Sequence, residues 1–445
     1  MRQSLARLPS GASPRIAKRT SNLFRFRPGS APGLDVSQLG DVLHVDAASR
    51  IADVQGMTTY ERLVDATLPH GLMPLVTPQL RTITLGGAVT GLGIESTSFR
   101  NGLPHESVTE IEVLTGAGDV VVATADNEHA DLFRAFPNSY GTLGYAMRLS
   151  IELEPVKPYV KVRHLRFHDA DAAMAALARI WDTSSHDSEP VDFLDGVVFS
   201  QDELYLTLGQ FVDEAPYTSD YTGMAVYYRS VQQREIDYLT VYDYLWRWDT
   251  DWFWCSGAFG LQRPAVRRLW PRRLRRSDVY RRLVALDRRY QVSSRVDRFR
   301  NRPQAEPVIQ DVETPIERVA EFLDFFHREI GILPVWLCPL KLRQPPTGEP
   351  ARWPLYPLEP DQRYVNLGFW SSVALPEGEQ DGYHNRRIES EVTRLDGHKS
   401  LYSSSFYSAE EFWRLYNGTA YRSVKDRYDP DARLSDLYEK CVRNR

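Results

Sequence analysis

Apolar positions in the first 154 residues form short runs, most of them with the every-second-residue spacing of strands. Two of these runs, 42–46 and 50–54, are joined by a small polar turn, which predicts a hairpin. Further strands are predicted at 72–76, 110–114, 120–124 and 145–154, and helices at 59–68 and 131–136. Short strands with few long helices predict an α+β unit rather than a series of βαβ repeats.

A second unit follows the proline-bounded segment 155–158. Its strand-like runs alternate with runs that have helical spacing, so an antiparallel sheet flanked by helices is expected. The predicted strands are 159–167, 196–199, 204–211, 335–340 and 363–370, and the predicted helices are 170–181, 315–329, 409–417 and 435–443. The predicted domains are therefore 1–154 and 159–445.

Composition excludes several classes of protein. The chain has 445 residues, of which 42% are hydrophobic and 25% charged, as in ordinary globular proteins. No apolar run reaches the roughly 18 residues that a membrane span needs, since the longest, 330–340, is interrupted by two prolines. Three widely spaced cysteines cannot form a disulfide framework or a Cys-rich metal site. We expect a soluble intracellular protein of more than one domain, without a metal.

The N-terminal 34 residues form a basic arm with seven Lys or Arg and no acidic residue. No continuous apolar stretch follows, so a secretory signal is excluded. A basic arm that contacts phosphate is the favoured interpretation, and an organelle transit peptide is the alternative.

Residues 246–302, called the insert below, are rich in tryptophan and arginine. Positions 263–302 hold fifteen arginines against three aspartates, and six Trp or Phe residues lie at 246–259. Arginines beside aromatic side chains predict docking on an anionic membrane surface. The alternative is a solvated helix with acidic partners elsewhere in the fold. Nucleic-acid binding is disfavoured because no recognisable module accompanies the charge.

The most glycine-dense segment has the spacing GG-x-x-x-G-x-G from Gly86 to Gly93. It is neither a P-loop nor a G-x-G-x-x-G turn. Closely spaced glycines let backbone N–H groups approach a pyrophosphate, although the same spacing also fits bends in a twisted sheet.

The residues around these glycines resemble the FAD domain of the vanillyl-alcohol oxidase (PCMH) type, and most closely its delta-24 sterol reductase branch. The similar segments are 84–87, 91–96 and 141–144, and in the second unit 308–311, 334–339, 410–413 and 417–418. The resemblance implies a two-subdomain FAD-binding domain followed by a substrate domain. Segments 18–25 and 57–60 also resemble bacterial reductases that convert a methylene-branched fatty acyl chain to the methyl-branched (tuberculostearic) form.

Several residues acquire cofactor roles from this resemblance. The pyrophosphate and ribose of FAD are expected beside the first group, the flavin ring near Glu95 and Ser98, and the adenine near Gly141, Thr142 and Gly144. The first group is Thr20, Ser21, Asn22, Pro78, Thr84, Gly86, Gly87, Gly91, Gly93, Ile94 and Ser96. No Arg-Gly-His-type segment offers a histidine for covalent attachment, so dissociable FAD is expected.

The reaction implied by the resemblance is reduction of an isolated C=C bond, with NADPH as the electron source. Such a bond is expected to be protonated first, which requires a positioned acid in a dry pocket. The candidates are Glu95, His105 and Lys399. Their alternative roles are flavin binding for Glu95, a satisfied loop histidine for His105 and an ion pair with a carboxylate for Lys399.

Three functions remain open at this point. The first is an FAD-dependent reductase of a lipid double bond at the inner face of the cytoplasmic membrane. Its substrate would be a 10-methylene fatty acyl phospholipid or, second, a delta-24 sterol, and a methyltransferase that makes the methylene lipid would be its functional partner. The second is an FAD-dependent oxidase of alditols or sugar lactones. The third is a lipid-binding flavoprotein without turnover.

Overall fold

A computed structural model describes residues 1–7, 14–18, 22–25, 33–290, 303–344 and 350–443 of the chain. The strands are β1 (Arg15–Ile16), β2 (Gly33–Leu34), β3 (Val42–Asp46), β4 (Ile51–Gln55), β5 (Leu72–Pro74), β6 (Val108–Leu114), β7 (Val120–Ala123), β8 (Tyr145–Pro155), β9 (Tyr159–Phe167), β10 (Ser185–His186), β11 (Glu189–Pro190), β12 (Phe193–Ser200), β13 (Glu203–Val212), β14 (Ile236–Thr240), β15 (Ala305–Pro315), β16 (Val335–Leu340), β17 (Tyr364–Ala374) and β18 (His398–Lys399).

The helices lie between and after these strands. The α-helices span Arg2–Ala6, Tyr60–Thr67, Leu85–Gly91, Ser98–Asn101, Ala130–Ala135, Ala170–Thr183, Tyr227–Gln233, Val241–Leu245, Pro264–Leu269, Ser277–Tyr290, Val319–Glu329, Tyr383–Arg394, Ala409–Leu415, Gly418–Tyr428 and Leu437–Cys441, and 3₁₀ turns span Leu68–His70, Pro104–Ser107, Cys255–Phe259, Arg272–Leu274 and Ile316–Arg318. Within the described ranges, no helix combines the length and the apolar run that crossing a bilayer requires.

Two antiparallel sheets organise the chain and confirm the predicted α+β class. The first has the order β3-β4-β8-β6-β7, with β5 also paired to β8. The second has the order β14-β9-β13-β12-β16-β17-β15-β18. In the central strand β8, Leu149, Ile151 and Leu153 are buried at every second position, which is the alternation of a sheet with one face on the core. The sheets separate at the predicted segment 155–158.

The glycine segment forms a short helix and not a set of bends within a sheet. Thr84 caps the helix Leu85–Gly91, and its Oγ1 accepts a hydrogen bond from the Gly87 N–H at 3.2 Å. A Cβ on Gly86 would lie 2.7 Å from the Gly56 carbonyl oxygen, so the start of this helix packs backbone against backbone. A local cap therefore overrides the low helix propensity of the glycines.

Several further elements differ from the predictions. Strand β15, the helix Tyr383–Arg394 and the helix Gly418–Tyr428 had no predicted counterpart, and the helix predicted at 315–329 begins at Val319 after a 3₁₀ turn. Polar residues at buried positions interrupt the apolar pattern of β15 and of the two helices without a predicted counterpart. In β15, for example, Glu306 and Gln310 are fully buried among apolar neighbours.

The predicted membrane-facing aromatic residues of the insert are mostly buried. Trp246, Trp248, Trp252 and Phe253 are all less than 9% exposed, so they belong to the core and not to an interface with lipid. Several arginines of the insert have acidic partners, as the alternative interpretation expected: Arg267 with Asp251, Arg272 with Asp220 and Arg276 with Glu61. The part of the insert at 291–302 lies outside the described residues.

The C-terminal part of the chain returns to the first sheet. The helix Gly418–Tyr428 packs against Ala130–Ala135, where the Tyr428 hydroxyl donates to Asp131 Oδ1 at 2.9 Å. Lys425 Nζ donates to the carbonyl oxygen of Thr142 at 2.8 Å. Residues 418–428 therefore support the turn at 141–144 of the first unit.

Candidate functional site

A cavity of about 470 Å³ lies between the helix Leu85–Gly91, called the glycine helix below, and the second sheet. Its wall combines residues from the N-terminal arm, from the first sheet, from the insert and from strands β15, β16 and β17. The residues on the glycine side include Arg15, Lys18, Asn22, Pro78, Thr84, Gly86, Gly87, Gly91, Gly93, Ile94, Gly141 and Gly144. The same cavity is lined by the aromatic wall, defined as Phe24, Trp252, Phe253, Trp336, Trp370 and Tyr402.

The turn at 141–144, called the glycine turn below, needs glycine for its backbone conformation. Gly141 has a φ of +75° and Gly144 a φ of +142°, both in the region that L residues avoid. A Cβ on Gly144 would also lie 2.6 Å from Val113 Cγ1. This turn brings the backbone of Gly141 and Gly144 to the cavity.

Most residues with a predicted cofactor role line this cavity. Those that do are Asn22, Pro78, Thr84, Gly86, Gly87, Gly91, Gly93, Ile94, Gly141 and Gly144. Four others lie behind the wall: Glu95, Ser96, Ser98 and Thr142. Thr142 Oγ1, for example, donates to the Ser139 carbonyl oxygen at 2.7 Å. Thr20 and Ser21 lie outside the described residues.

The glycine side fits FAD. Arg15, Lys18 and Lys440 place cationic side chains on its wall, which suits a diphosphate. Asn22 Oδ1 is buried there without a hydrogen-bond partner among the described residues, so an acceptor is left for a ligand donor. The aromatic wall offers apolar ring faces and edges against which a ring system such as isoalloxazine can pack.

Glu95 is committed to a buried ion pair. It is 2% exposed, and its Oε1 accepts hydrogen bonds from the Ser96 N–H at 2.8 Å and from Arg247 Nη2 at 3.1 Å. Burial raises the pKa of Glu95, and the Arg247 guanidinium opposes this rise. The same Arg247 nitrogen donates to Asp195 at 2.8 Å. Glu95 is therefore held one layer behind the cavity wall.

His105 and Lys399 also lie off the cavity wall. His105 is buried with its ring edge-on to Trp353 at 4.5 Å, and burial lowers its pKa to about 3. Lys399 Nζ donates to Glu389 and to the Ser404 carbonyl oxygen. Lys399 thus forms the ion pair with a carboxylate that was its alternative role. His105, which has no hydrogen-bond partner for either ring nitrogen among the described residues, is not a satisfied loop histidine.

Asp311, Ser400 and Tyr402 line the cavity, although none of them was predicted to be a site residue. Asp311 lies on β15, whose Val308, Gln310 and Val312 point to the opposite, buried face. Burial raises the pKa of Asp311 to about 7, and its neighbours Asn366 and Tyr402 oppose this rise. A carboxylate at mid-strand between apolar residues was the available signal, but the strand itself went unrecognised.

Tryptophans of the aromatic wall are held by hydrogen bonds at their indole nitrogens. Trp370 Nε1 donates to the Tyr402 hydroxyl at 2.8 Å, and Trp336 Nε1 lies 3.3 Å from Asp195 Oδ2. Phe253 packs between them, with ring centroids 4.4 Å from Trp370 and 5.5 Å from Trp336. The faces that border the cavity are therefore fixed in position before a ligand binds.

Comparison with known proteins supports this geometry. A family model described as an FAD binding domain matches residues 20–124. Delta(24)-sterol reductase of Arabidopsis thaliana is 26% identical over 443 residues, which cover 93% of this chain and 77% of that protein. The Homo sapiens Delta(24)-sterol reductase is 26% identical over 427 residues, or 91% and 77%.

A shorter likeness links the chain to a different enzyme. Cytokinin dehydrogenase 6 of Oryza sativa subsp. japonica is 35% identical over 122 residues, which cover 27% of this chain and 23% of that protein. The predicted FAD cofactor and the resemblance to delta-24 sterol reductases are thereby confirmed, while the likeness to bacterial methylene-fatty-acyl reductases stays a prediction. The chain therefore contains a segment that matches an FAD binding domain and is similar to Delta(24)-sterol reductases over more than nine-tenths of its length.

Proposed function

We propose that this protein uses FAD to reduce an isolated C=C bond in a lipid. The observation that carries the proposal is the cavity, which is lined both by the glycine segment and by the aromatic wall and, among the described residues, by one carboxylate side chain, that of Asp311. When bound, reduced FAD supplies a hydride. The aromatic wall excludes water and offers π faces to the positive charge that develops when a double bond is protonated.

The leading substrate is a 10-methylene fatty acyl chain on a phospholipid, reduced to the 10-methyl chain. Protonation of its terminal CH₂ leaves positive charge on a carbon with three carbon substituents, which the aromatic wall would stabilise. A delta-24 sterol is the second candidate, favoured by the names of the relatives that match most of the chain. Both substrates are long, apolar and branched at the reacting bond.

Two further parts of the proposal concern the cofactors. NADPH is the proposed electron source. FAD is proposed to be dissociable, so precipitation of the protein with acid should leave the flavin in the supernatant.

A methyltransferase that generates the methylene lipid is the proposed functional partner.

The insert is proposed to dock on the anionic inner face of the cytoplasmic membrane. Leu269 is 85% exposed and Leu274 is 38% exposed. Between and beside them, the exposed Arg263, Arg268 and Arg273 have no ion-pair partner among the described residues. The insert also borders the cavity, because its Trp252, Phe253 and Cys255 line the wall. Arg281 holds the insert to the same wall by donating to the Leu23 carbonyl oxygen. A lipid could thus enter from the docked surface.

The test is anaerobic flavin spectroscopy of the purified protein with FAD bound. NADPH should bleach the flavin band, and phospholipid with a methylene-branched chain should restore it, whereas the same phospholipid with the saturated methyl branch should not. Recovery with a delta-24 sterol alone would select the second substrate. Bleaching by an alditol or sugar lactone with recovery in air would replace the proposal by an oxidase. If the flavin is bleached by none of these compounds, either a binding protein or a missing reductase partner would remain.

A further inference from the structure

We propose that Asp311 is the acid that protonates the substrate double bond. This inference rests on the proposed function, because it assigns the proton donor of that reaction. None of the three acids expected from the sequence lines the cavity, whereas Asp311 does.

The sheet places Asp311 beside the aromatic wall. Asp311 on β15 is paired directly with Gly368 on β17, the strand that also carries Trp370. A Cβ on Gly368 would lie 2.5 Å from Asp311 Oδ1 and 2.7 Å from Trp370 Cη2. The missing side chain at Gly368 therefore makes the space that the carboxyl group and the indole ring share. As a result, the acid lies beside the aromatic wall.

No described cation balances the charge that the Asp311 carboxyl group would carry if it were ionised. Asp311 Oδ1 is buried and has no hydrogen-bond partner among the described residues, and no described cation forms an ion pair with Asp311. Glu95, in contrast, is paired with Arg247. A buried carboxyl without a cation retains its proton more readily, and burial raises the pKa of Asp311 to about 7.

The groups that face Asp311 do not reverse this balance. They are Glu313 on the same strand, Cys338 on β16, Asn366 on β17, and Tyr140 and Tyr402 from loops. None of these is a cation, and Glu313 is a second acid whose Oε1 is occupied by the Ser400 hydroxyl at 3.0 Å. Burial also raises the pKa of Glu313, so both carboxyl groups favour their neutral forms.

In the proposed step, Asp311 transfers a proton to the alkene before hydride is added. The O–H bond of the Asp311 carboxyl breaks, and the π electron pair of the alkene forms a C–H bond at the less substituted carbon. The neighbouring carbon becomes cationic beside the aromatic wall and is then quenched by the hydride of the reduced cofactor. Asp311 is left as a carboxylate and recovers a proton from water. The alkene thus gains one proton and one hydride.

The test compares Asp311→Asn with Glu313→Gln, the adjacent buried carboxyl that does not line the cavity. Asp311→Asn keeps the size of the side chain but has no acidic proton, so turnover should fall by at least about 100-fold, while Glu313→Gln should stay within a few-fold of wild type. FAD absorbance should be unchanged in both variants. Infrared difference spectroscopy should show a protonated-carboxyl band that titrates near pH 7 and is lost only in Asp311→Asn.

Each outcome decides between the two proposals. Full turnover by Asp311→Asn, or an infrared spectrum in which Asp311 is already ionised well below neutral pH, would overturn Asp311 as the acid and leave the reductase standing. Failure of the wild-type protein to reduce any lipid alkene would overturn both.

Discussion

Arg247 Nη2 lies 3.1 Å from Glu95 Oε1 and joins the insert to the segment that follows the glycine helix. The pair is almost completely buried, with 1% and 3% of the two side chains exposed, and the same guanidinium also pairs with Asp195. Removing one partner from such a buried group of charges leaves the others buried without compensation, which is strongly destabilising. This arrangement explains why Glu95 cannot be treated as an independent acid.

Replacing Arg247 by Ala should destabilise the protein strongly. Glu95 and Asp195 would then be buried without a cation, which costs about 3–5 kcal/mol in the free energy of unfolding. The measurement is denaturant unfolding of the FAD-bound protein. Arg268→Ala is the matched control, since Arg268 is exposed and should change the same quantity by less than about 0.5 kcal/mol. Equal effects of the two substitutions would contradict the buried network.

Gly86→Ala should weaken FAD binding. The added Cβ would meet the Gly56 carbonyl oxygen at 2.7 Å and push the start of the glycine helix out of place. We expect the dissociation constant for FAD to rise about 10-fold or more, equivalent to about 1.4 kcal/mol. Equilibrium titration of apoprotein with FAD measures this change. In Gly223→Ala the nearest atom to the new Cβ is 3.7 Å away, so FAD binding should stay at the wild-type level.

Protein stability should fall in mild acid, partly through His105. Burial holds the pKa of His105 at about 3, below its ordinary value of 6.5, so the unfolded chain binds a proton that the folded chain excludes. Between pH 7 and pH 5 this one group should remove about 2 kcal/mol from the free energy of unfolding. His105→Phe should lose that part of the pH dependence. Comparing two pH values within each variant cancels any change in packing, and identical pH slopes would refute the assignment.

The docking surface predicts a graded loss of membrane binding. Each unpaired arginine near an anionic surface contributes about 1 kcal/mol, so replacing Arg263, Arg268 and Arg273 by Gln should lower partitioning to phosphatidylserine-containing vesicles about 100-fold. Leu269→Ser should reduce binding further. Vesicle sedimentation provides the readout. Leu43→Ser, at an exposed leucine on strand β3, should leave partitioning unchanged.

Gly368→Ala should slow turnover without releasing FAD. Its Cβ would displace Asp311 or Trp370, and a displacement of about 1 Å at a reacting group can reduce turnover by up to about 100-fold. The quantity to compare is turnover per bound FAD. Gly196→Ala on β12 of the same sheet meets the Tyr205 carbonyl oxygen at 2.5 Å, away from the cavity, and should lower stability but not this ratio.

Regular alternation of apolar residues predicted most of the sheet. Strands β3, β9 and β16 begin and end where their patterns place them. Strand β15 was missed because its buried face includes Glu306 and Gln310, which find partners on a helix about 75 residues later, where Asn385 bonds to both side chains. Polar residues at buried positions break the pattern, and their partners cannot be located from local sequence.

The glycine side of the site was predicted better than the acid. Backbone requirements for glycine are written in a few adjacent residues, and those residues do reach the cavity. The roles of Glu95 and Lys399 depend on Arg247 and Glu389, which are far away or on a helix that was not predicted. Asp311 became visible only when pairing of β15 with β17 placed it beside Trp370.

The contact between Lys425 and Thr142 bears on the order in which the protein is assembled. Almost three hundred residues separate the two partners, and Tyr428 reaches Asp131 over a similar span. During synthesis, the first sheet emerges long before the residues that fix its glycine turn are made. Because the turn at 141–144 gains these contacts only after residues 418–428 are made, we expect FAD to bind after that segment has been synthesised and not while the first sheet emerges.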